Sequence, residues 1–499
     1  MSNLLSSPQA AAVWLRERVT GTLTTDSRRA GAGDGFIAWP GAAQDGREYV
    51  ADVLSAGVGA CLVEESGAQR FDFRDDRVGS YLGLKAAAAP IAAAYFEEPS
   101  RQLQVVAVTG TNGKTSTTWW LAQALGRAGL RCAVVGTLGI GEPDAMVFNG
   151  LTTPDPVLLQ QQLRHFVDTG FAACALEASS IGIAERRLDS TQISLAIFTN
   201  FTQDHLDYHG STQAYWEAKQ SLFAWPGLKA AVLNVDDVKG VELADRLACS
   251  ALDVWTVSIQ GPARLRAENI HQIDGSLLFN VTESLETHSV RVATAGLYNV
   301  SNLLGVIAAM RVFGIALCDA VSACQGLSSV PGRLDVVSRD EGPLVVIDYA
   351  HTPDALEKVL LALQPVAQGR HGRLWCIFGC GGNRDTFKRP LMAAAAQKHA
   401  GHVVVTSDNP RRESPAGIIA DIVLGFAPEA DFEVKEDRAL AVADVIARAQ
   451  PLDVVLIAGK GHEDYQEIMG VKYPFSDRRH AEAALDARRR AGQSEGVTA

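Results

Sequence analysis

The sequence predicts an α/β protein of three domains, built on mostly parallel sheets that are covered by helices. Apolar runs of strand length alternate with segments in which apolar residues recur at helical spacing, a pattern typical of strand–helix–strand units. The chain of 499 residues exceeds the usual size of one domain. Its content of 47% hydrophobic and 20% charged residues is typical of a well-cored globular protein.

Two polar, proline-containing breaks divide the chain. The first, FEEPSRQ at 96–102, separates an alanine-rich helical stretch from the strand-like run LQVVAV. The second, VPGR at 330–333, separates a helical region from a new group of strands. We therefore expect domains at residues 1–100, 101–334 and 335–499, each within the usual range of about 50 to 250 residues.

Nine apolar runs in the second and third domains are expected to form strands. They are VVAVT, CAVVG, ACALE, LAIFT and AAVLNV in the second domain, and LVVID, LWCIF, HVVVT and VVLIA in the third. Ligands of open parallel sheets bind beyond the carboxyl ends of the strands. Because most of the suggestive polar residues follow these runs directly, we expect the functional sites at those edges.

Charge and composition exclude several classes of protein. The formal net charge of -12 disfavours nonspecific nucleic-acid binding, which depends on Lys and Arg. The N-terminal stretch lacks the pattern of a secretory signal, and no run approaches the ~20 apolar residues that span a bilayer, so we expect no membrane insertion. Eight scattered cysteines without Cys-x-x-Cys spacing indicate neither a zinc site nor a disulfide framework. These features predict a cytoplasmic enzyme.

The run VAVTGTNGKTSTTWWLAQALGRAGL at 106–130 reads as a strand, a glycine-containing turn and a helix. In such a loop the backbone N–H groups and the helix N-terminus attract phosphate, and Lys114 adds a full charge. Thr115 is then placed to ligate magnesium. The match to the general P-loop pattern is imperfect, since Val108 stands where its first glycine belongs. The alternative is an ordinary strand-to-helix turn.

Further along the chain, polar residues follow two other strands. Glu177 ends ACALE, and Asp204 and His205 lie in FTQDHLDYHG, shortly after LAIFT. A carboxylate near a P-loop threonine suits Mg²⁺, which prefers hard oxygen ligands, so Glu177 is the first candidate. His205 is either a ligand or a hydrogen-bonding loop residue. Lys219, in YWEAKQSLF, is by spacing alone a surface lysine whose stem covers apolar neighbours.

Seven motifs together resemble the Mur ligase family, the ATP-dependent enzymes that add amino acids to the peptidoglycan precursor. They are GTNGKTS, LEASS, TNFTQDHLDYHG, YWEAK, NVSNLLG, PGRLD and DYAHTPDAL. The resemblance extends from Asp26 to about His480. It implies an N-terminal α/β domain for the UDP end of the precursor, a central P-loop-type ATPase domain, and a C-terminal Rossmann-like domain that brings the amino acid.

Within the family, DSRRAGAGDGFIAWPGAAQDGREYV, SDNPRRE and AGKGHED are similar to members that add meso-2,6-diaminopimelate. The resemblance implies that UDP-N-acetylmuramoyl-L-Ala-D-Glu, diaminopimelate and ATP are the substrates of a monomer. Three alternatives stay open: a ligase that adds L-lysine at the same step, a folylpolyglutamate synthase-like enzyme, and a nucleotide-dependent switch. The N-terminal DSR region disfavours the folate enzyme, which has no use for a UDP-binding domain.

The resemblance also implies a nucleotide and metal site. The implied ATP contacts are Gly110, Thr111, Asn112, Gly113, Lys114, Thr115, Ser116, Asn302, Arg333 and Asp348. The implied ligands of two Mg²⁺ ions are Thr115, Glu177, His205 and Lys219, the last as a carbamate formed with carbon dioxide. Lys114, Glu177, His205 and Lys219 are therefore the expected catalytic residues.

Two further sets complete the implied site. The precursor contacts are Ser27, Ala42, Ala43, Gln44, Thr152, Thr153, Ser179, Glu185 and Arg187, and the diaminopimelate contacts are Arg384, Asp408, Asn409, Pro410, Arg411, Gly459 and Glu463. Departures from the family pattern occur at Ala42-Ala43, Ile181 and Glu185. We expect Arg411 to grip the distal carboxylate of diaminopimelate and Glu463 to neutralise its distal ammonium, while Arg412 stays a surface residue.

Overall fold

The computed structural model describes residues 3–41, 44–273, 276–339 and 342–496. In the first of the three regions, the described residues form a five-stranded, all-parallel sheet in the order β1-β5-β4-β3-β2, with apolar clusters on both faces. The elements are β1 (Asn3–Leu5), α1 (Pro8–Arg16), β2 (Leu23–Thr24), β3 (Gly35–Ala38), α2 (Val50–Ser55), β4 (Ala60–Glu64), β5 (Val78–Tyr81) and α3 (Leu84–Tyr95).

The central region is built on one large sheet, in which the described strands follow the order β16-β15-β14-β13-β12-β11-β6-β10-β7-β8-β9. Its elements are β6 (Gln104–Thr109), α4 (Lys114–Arg127), β7 (Cys132–Gly136), β8 (Gly139–Glu142), β9 (Ala145–Val147), α5 (Pro156–Asp168), β10 (Ala173–Glu177), α6 (Ser180–Ala184), β11 (Leu195–Phe198), α7 (Leu206–His209), α8 (Thr212–Gln220), β12 (Ala230–Asn234), α9 (Val238–Leu247), β13 (Asp253–Ser258), β14 (Leu265–Ile273), β15 (Ser276–Glu283), β16 (Glu286–Val292), α10 (Leu297–Val312) and α11 (Leu317–Cys324). The middle strands β7, β10, β6, β11, β12 and β13 are parallel, so their carboxyl ends meet at one edge.

The C-terminal region carries a third sheet, whose described strands follow the order β17-β18-β22-β19-β20-β21 and are parallel except for β17. Its elements are β17 (Asp335–Val337), β18 (Leu344–Asp348), α12 (Pro353–Gly369), β19 (Leu374–Phe378), α13 (Lys388–His399), β20 (His402–Val405), α14 (Pro415–Val423), β21 (Phe432–Val434), α15 (Arg438–Arg448), β22 (Val454–Ala458), the hairpin strands β23 (Tyr465–Ile468) and β24 (Val471–Pro474), and α16 (Asp477–Gly496).

The nine strands that the sequence predicts are present as β6, β7, β10, β11, β12, β18, β19, β20 and β22. The predicted α/β class is thereby confirmed. The three large sheets occupy residues 3–81, 104–292 and 335–458, and the division into domains near residues 100 and 334 stays a proposal. Within the described ranges, none of the helices combines the length and apolar character needed to cross a membrane.

Candidate active site

The phosphate loop, residues 110–113, connects the carboxyl end of β6 to the first turn of α4. Gly113 has a φ of +88°, and a Cβ there would lie 2.4 Å from Asn302 Oδ1, so the position requires glycine. Lys114 Nζ folds back over the loop and donates to the carbonyl oxygens of Gly110 at 2.8 Å and Thr111 at 2.9 Å. Burial lowers the pKa of Lys114, against the opposing effect of Glu177.

Glu177 ends the neighbouring strand β10 and is 1% exposed. Its Oε2 accepts hydrogen bonds from the hydroxyls of Thr115 at 3.1 Å and Thr137 at 3.2 Å, and its Oε1 accepts from the Thr137 backbone N–H at 2.8 Å. The structure therefore brings two of the candidate magnesium ligands, Thr115 and Glu177, into contact. A hydroxyl and a carboxylate are the hard oxygen ligands that Mg²⁺ accepts.

Lys219 lies on α8 and is 1% exposed, so the interpretation as a surface lysine is wrong. Its Nζ donates to Gly110 O at 2.7 Å, the same carbonyl that accepts from Lys114. Burial, together with the positive charge of Lys114, holds the pKa of Lys219 well below its usual value. The neutral amine is thus favoured beside the phosphate loop.

His205 precedes α7, with a φ of +52° and a half-exposed side chain. Its Nε2 lies 3.5 Å from Asp204 Oδ2, and its ring packs edge-on against Tyr215. Burial lowers the pKa of the His205 imidazole, which favours the neutral form that binds metals. In the described parts of the chain, no three His, Cys, Asp or Glu side chains converge as a metal site. The candidate ligands thus comprise one contacting pair, Thr115 with Glu177, and two separate side chains.

Arg333, in the connection to the C-terminal region, reaches the first turn of α4 beside the phosphate loop. Its Nη2 lies 3.4 Å from Thr115 Oγ1, and its guanidinium lies over the ring of Tyr349 at 4.5 Å. The cleft beside it is lined by Asn112, Ser116, Tyr298, Asn302, Arg333 and Lys358. Most of the residues assigned to ATP by resemblance therefore surround one cleft at the N-terminus of α4.

Asp348 also lines this cleft, but both of its carboxylate oxygens are occupied. Oδ2 accepts from the N–H of Leu334 at 2.7 Å, and Oδ1 accepts from the N–H of Ala350 at 2.8 Å. Burial raises the pKa of Asp348, while Arg333 and these N–H groups oppose the rise. The residue fastens the loop that carries Arg333 to the end of β18, and a direct contact with ATP stays a proposal.

Asp354, which sequence reasoning passed over within DYAHTPDAL, links the C-terminal region to the phosphate loop. Its Oδ2 accepts from Asn112 Nδ2 at 3.1 Å, from Thr202 Oγ1 at 3.4 Å and from Lys358 Nζ at 2.9 Å. The residue stands in the first turn of α12. Its only signal in the sequence was its place in that motif, since its partner Asn112 lies more than 200 positions away.

Four of the candidate precursor residues form one polar cluster next to Glu177. Thr153 Oγ1 donates to Glu177 O at 2.7 Å and lies 2.9 Å from Ser179 Oγ. Arg187 Nη1 donates to Thr153 O at 2.9 Å, and Thr152 Oγ1 lies 3.0 Å from Thr137 Oγ1. The cluster adjoins the candidate magnesium pair, where the reacting carboxylate of a precursor would have to lie.

Glu185, which departs from the family pattern, is held by two neighbours. Lys85 Nζ of α3 lies 2.8 Å from Glu185 Oε2, and the Tyr208 hydroxyl donates to Oε1 at 2.5 Å. Lys85 and Tyr208 hold the pKa of the Glu185 carboxyl below its usual value. The contacts join α3 of the N-terminal region to α7, which directly follows His205.

The remaining precursor candidates lie in the N-terminal region. Ser27 is half-buried in the turn after β2, and Gln44 Oε1 accepts from the Tyr49 hydroxyl at 3.1 Å. Ala42 and Ala43 lie outside the described residues. Ser27 and Gln44 make no contact with the Glu177 cluster among the described bonds, and their assignment to the UDP end of the precursor stays a proposal.

The stretch Asp408-Asn409-Pro410-Arg411 follows β20 in the C-terminal region. Arg411 has a φ of +51°, and its Nη1 donates to Gly382 O at 2.9 Å while Nε lies 3.5 Å from Glu467 Oε2. Asn409 Nδ2 donates to Glu463 Oε2 at 2.8 Å. A Cβ on Gly459, at a φ of +115°, would lie 2.6 Å from Asp408 Oδ2, so glycine is required there.

Arg384 and Arg412, the other two arginines that the sequence analysis considered near this site, are exposed. Arg384 lies at the rim of the cavity that contains Arg411 and Glu463. Arg412 is held through its backbone N–H, which donates to Asn383 Oδ1 at 3.0 Å, and its side chain is exposed. This agrees with the expectation that Arg412 is a surface residue.

One cavity is lined by candidate residues of both the central and the C-terminal regions. It is lined from the central region by Asp204 and His205, and from the C-terminal region by Arg384, Asn409, Arg411 and Glu463. Ile181, another departure from the family pattern, lines the same cavity. The candidate metal ligand His205 and the candidate diaminopimelate residues therefore line the same cavity.

Two family models match the chain: the Mur ligase middle domain over residues 108–310 and the Mur ligase, glutamate ligase domain over residues 332–461. The chain belongs to the Mur ligase family. Among its relatives, the UDP-N-acetylmuramoyl-L-alanyl-D-glutamate--2,6-diaminopimelate ligase of Acidovorax sp. (strain JS42) is 56% identical over 491 residues, covering 97% of this chain and 98% of that protein. The ligase of the same name from Janthinobacterium sp. (strain Marseille) is 48% identical, covering 95% of each chain.

Solved structures of Mur ligases share the whole architecture. A structure of a UDP-N-acetylmuramoyl-L-alanyl-D-glutamate--2,6-diaminopimelate ligase matches with a TM-score of 0.64 and 34% identity, covering 94% of this chain and 95% of the other. The MurF ligase of Acinetobacter baumannii matches with a TM-score of 0.67 at 19% identity, covering 96% and 98%. At that identity the second likeness concerns the fold alone.

Proposed function

We propose that this Mur ligase adds meso-2,6-diaminopimelate to UDP-N-acetylmuramoyl-L-alanyl-D-glutamate, with conversion of ATP to ADP and phosphate. The observation that carries the proposal is the cavity that His205 shares with Arg411 and Glu463. It adjoins the cleft at the phosphate loop, since Asp354 lines the cavity and accepts a hydrogen bond from Asn112 of the cleft. The relatives named for this reaction, up to 56% identical over nearly the whole chain, support it. We further propose a cytoplasmic monomer.

The chemistry requires an activated carboxylate, because a carboxylate is a poor electrophile. The γ-phosphoryl group of ATP passes to the side-chain carboxylate of D-glutamate, so that ADP leaves and an acyl phosphate forms. The amine of diaminopimelate then attacks the acyl carbon, the tetrahedral intermediate expels phosphate, and the amine loses its proton to give the amide. Such chemistry asks the protein mainly for positioning and neutralisation of charge.

Lys114 and Arg333 place two positive charges beside the phosphate loop. Lys114 Nζ rests on the loop carbonyls of Gly110 and Thr111, and Arg333 Nη2 lies 3.4 Å from Thr115 Oγ1. In this mechanism, both turn towards the phosphates of ATP and offset the charge on the oxygens during transfer. Thr153, Ser179 and Arg187 hold the D-glutamate end of the precursor beside them.

The oxygen atoms of Thr115 and Glu177 fit a Mg²⁺ ion, and His205 with a carbamate on Lys219 would hold a second one. Bound there, Mg²⁺ supplies positive charge to the phosphoryl and carboxylate oxygens. The buried, neutral-favoured amine of Lys219 supports the carbamate, since the free amine is the form that bonds to carbon dioxide, with loss of a proton. The modification replaces a cation by an anion beside the phosphate loop.

Arg411 and Glu463 match the zwitterionic far end of diaminopimelate. The planar guanidinium of Arg411 can bind the distal carboxylate with two parallel hydrogen bonds, joined by Arg384 at the rim, and Glu463 receives the distal ammonium. L-Lysine lacks that carboxylate, so Arg411 loses its substrate partner and keeps its contacts with Gly382 O and Glu467. The loss costs on the order of 2 to 5 kcal/mol and disfavours the lysine-adding alternative.

Substrate omission separates a ligase from a nucleotide-dependent switch. We expect phosphate release only when ATP, the precursor and diaminopimelate are all present, together with one new UDP-linked product whose mass has grown by one dehydrated diaminopimelate. A switch would release phosphate without an amino acid, and a folylpolyglutamate synthase-like enzyme would ignore the UDP precursor. Either outcome would overturn the proposed function.

A further inference from the structure

Lys460, which follows Gly459 after β22, is a fully buried lysine in the proposed amino-acid site, with 0% exposure. Its Nζ donates to Asn409 Oδ1 at 3.0 Å and to Glu463 Oε2 at 3.1 Å. Both acceptors belong to the group that we assign to diaminopimelate. A buried ammonium is costly without partners. The mechanism proposed above gives Lys460 no role.

The bonds of Lys460 determine how the Asn409 amide is oriented. Asn409 Oδ1 accepts from Lys460 Nζ and also from the backbone N–H of Glu467 at 2.9 Å. With two donors on the oxygen, the Nδ2 group must face the other way, towards Glu463 Oε2 at 2.8 Å. Lys460 and Asn409 thus both bind Oε2, and among the described bonds Oε1 of Glu463 stays available to a ligand.

The charges around Glu463 make Lys460 its principal counterion. Burial raises the pKa of Glu463, Lys460 opposes that rise, and Asp408 adds to it. Tyr349 and Tyr465 also face the carboxyl. The other cations nearby have closer partners of their own: Arg438 is paired with Asp477 at 2.7 Å, and Arg411 is near Glu467 at 3.5 Å.

We infer that Lys460 is a positioning residue of the amino-acid site: it orients Asn409 and holds the Glu463 carboxylate ready to receive the distal ammonium of the amino acid. Lys460 itself touches no substrate in this arrangement. The inference rests on the proposed function, because it takes the group around Arg411 and Glu463 as the site for the far end of diaminopimelate. It adds a residue that acts through Glu463.

The test compares the wild type with Lys460→Met, Glu463→Gln and the double variant, with Lys398→Met, an exposed lysine paired with Glu357, as the matched control. KM for diaminopimelate is measured at saturating ATP and precursor from about pH 6 to about pH 9. For Lys460→Met we expect KM to rise by about tenfold or more at the acid end and to fall back towards the wild-type value as pH increases. The reason is that the loss of its counterion raises the pKa of Glu463. At the acid end of the range the carboxyl is then protonated and no longer binds an ammonium.

The other variants test whether Lys460 acts through Glu463. Glu463→Gln is expected to raise KM without this dependence on pH, and the double variant is expected to match Glu463→Gln, since the two changes remove one interaction. Lys398→Met is expected to behave as the wild type. An unchanged KM for Lys460→Met, a rise that is equal at every pH, or an additional loss in the double variant would overturn the inference.

Thermal unfolding keeps the test decisive if Lys460→Met folds poorly. An unpaired buried carboxylate is strongly destabilising, so we expect Glu463→Gln to restore the Tm that Lys460→Met loses. A double variant as unstable as Lys460→Met would show a packing role only and contradict the inference. Failure of the wild type to add diaminopimelate would instead overturn the proposed function, so the two failures are distinguishable.

Discussion

Two adjacent arginines, Arg411 and Arg412, illustrate at the residue scale how position decides a role. Arg411 lines the cavity and is fixed to Gly382 O, whereas Arg412 is exposed. Replacing Arg411 by alanine should raise KM for diaminopimelate by well over tenfold, since the loss of a buried charge partner costs on the order of 2 to 5 kcal/mol. ATP affinity, measured by titration calorimetry, should stay unchanged. Arg412→Ala is the matched control, and equal losses in both ligands or in both variants would contradict the assignment.

Lys219 provides the second test at this scale. Lys219→Ala should abolish most turnover and leave precursor binding intact, because the side chain is buried beside the phosphate loop and is the proposed carbamate. Partial recovery of phosphate release on addition of short carboxylates would support the carbamate. Lys398→Ala, a change at an exposed lysine, is the control. Full turnover by Lys219→Ala would refute its role.

The sequence predicted single residues well where a strand end delivered them, and poorly where distant segments meet. Glu177 and Thr115 were assigned from their places after β10 and β6, and they are in contact. Asp354 was passed over because its partners come from distant loops. Lys460 was missed for a similar reason: in the sequence it is a lysine between glycines, and only folding shows that it is buried against Asn409.

At the element scale, the loop between β6 and α4 depends on a glycine conformation. Gly113→Ala places a Cβ 2.4 Å from Asn302 Oδ1 at a φ of +88°, so we expect ATP affinity to fall by about tenfold or more, in line with a strain of ~1 to 3 kcal/mol. Gly126→Ala, in α4 directly after this loop and with open space around the added Cβ, is the control. It should raise the free energy of unfolding by up to about 1 kcal/mol. Equal ATP affinities for the two variants would contradict this account of the loop.

The nine strands that the sequence predicted are parallel strands with largely apolar runs, whereas the parallel strands β1 to β5, β13 and β21 were not predicted. β10, β11 and β12 are buried at every residue, as expected for strands covered on both faces. The antiparallel strands β14, β15 and β16 were missed. In β15 buried and half-buried residues largely alternate, which is the pattern of a sheet with one face on the core, and polar residues interrupt the run that a search for apolar strands would detect.

At the scale of the whole molecule, the candidate ATP cleft and the candidate amino-acid cavity are both lined by residues of the central and the C-terminal regions. Asp354 and Arg333 already connect the C-terminal region to the phosphate loop. Closure of the cavity would exclude water from the acyl phosphate. We therefore expect an ATP analogue with precursor to reduce the radius of gyration in small-angle scattering, relative to the free enzyme. An unchanged radius would count against closure.

The central claim is that the chain joins diaminopimelate to the UDP-linked dipeptide and selects this amino acid by binding its distal carboxylate and ammonium. It is tested most directly by one ligation assay with UDP-N-acetylmuramoyl-L-Ala-D-Glu and ATP, comparing meso-diaminopimelate, its LL isomer and L-lysine. We predict a UDP-linked tripeptide with meso-diaminopimelate and a kcat/KM for L-lysine that is lower by well over tenfold. Addition of L-lysine with equal efficiency, or ATP hydrolysis that is indifferent to the amino acid, would contradict the claim.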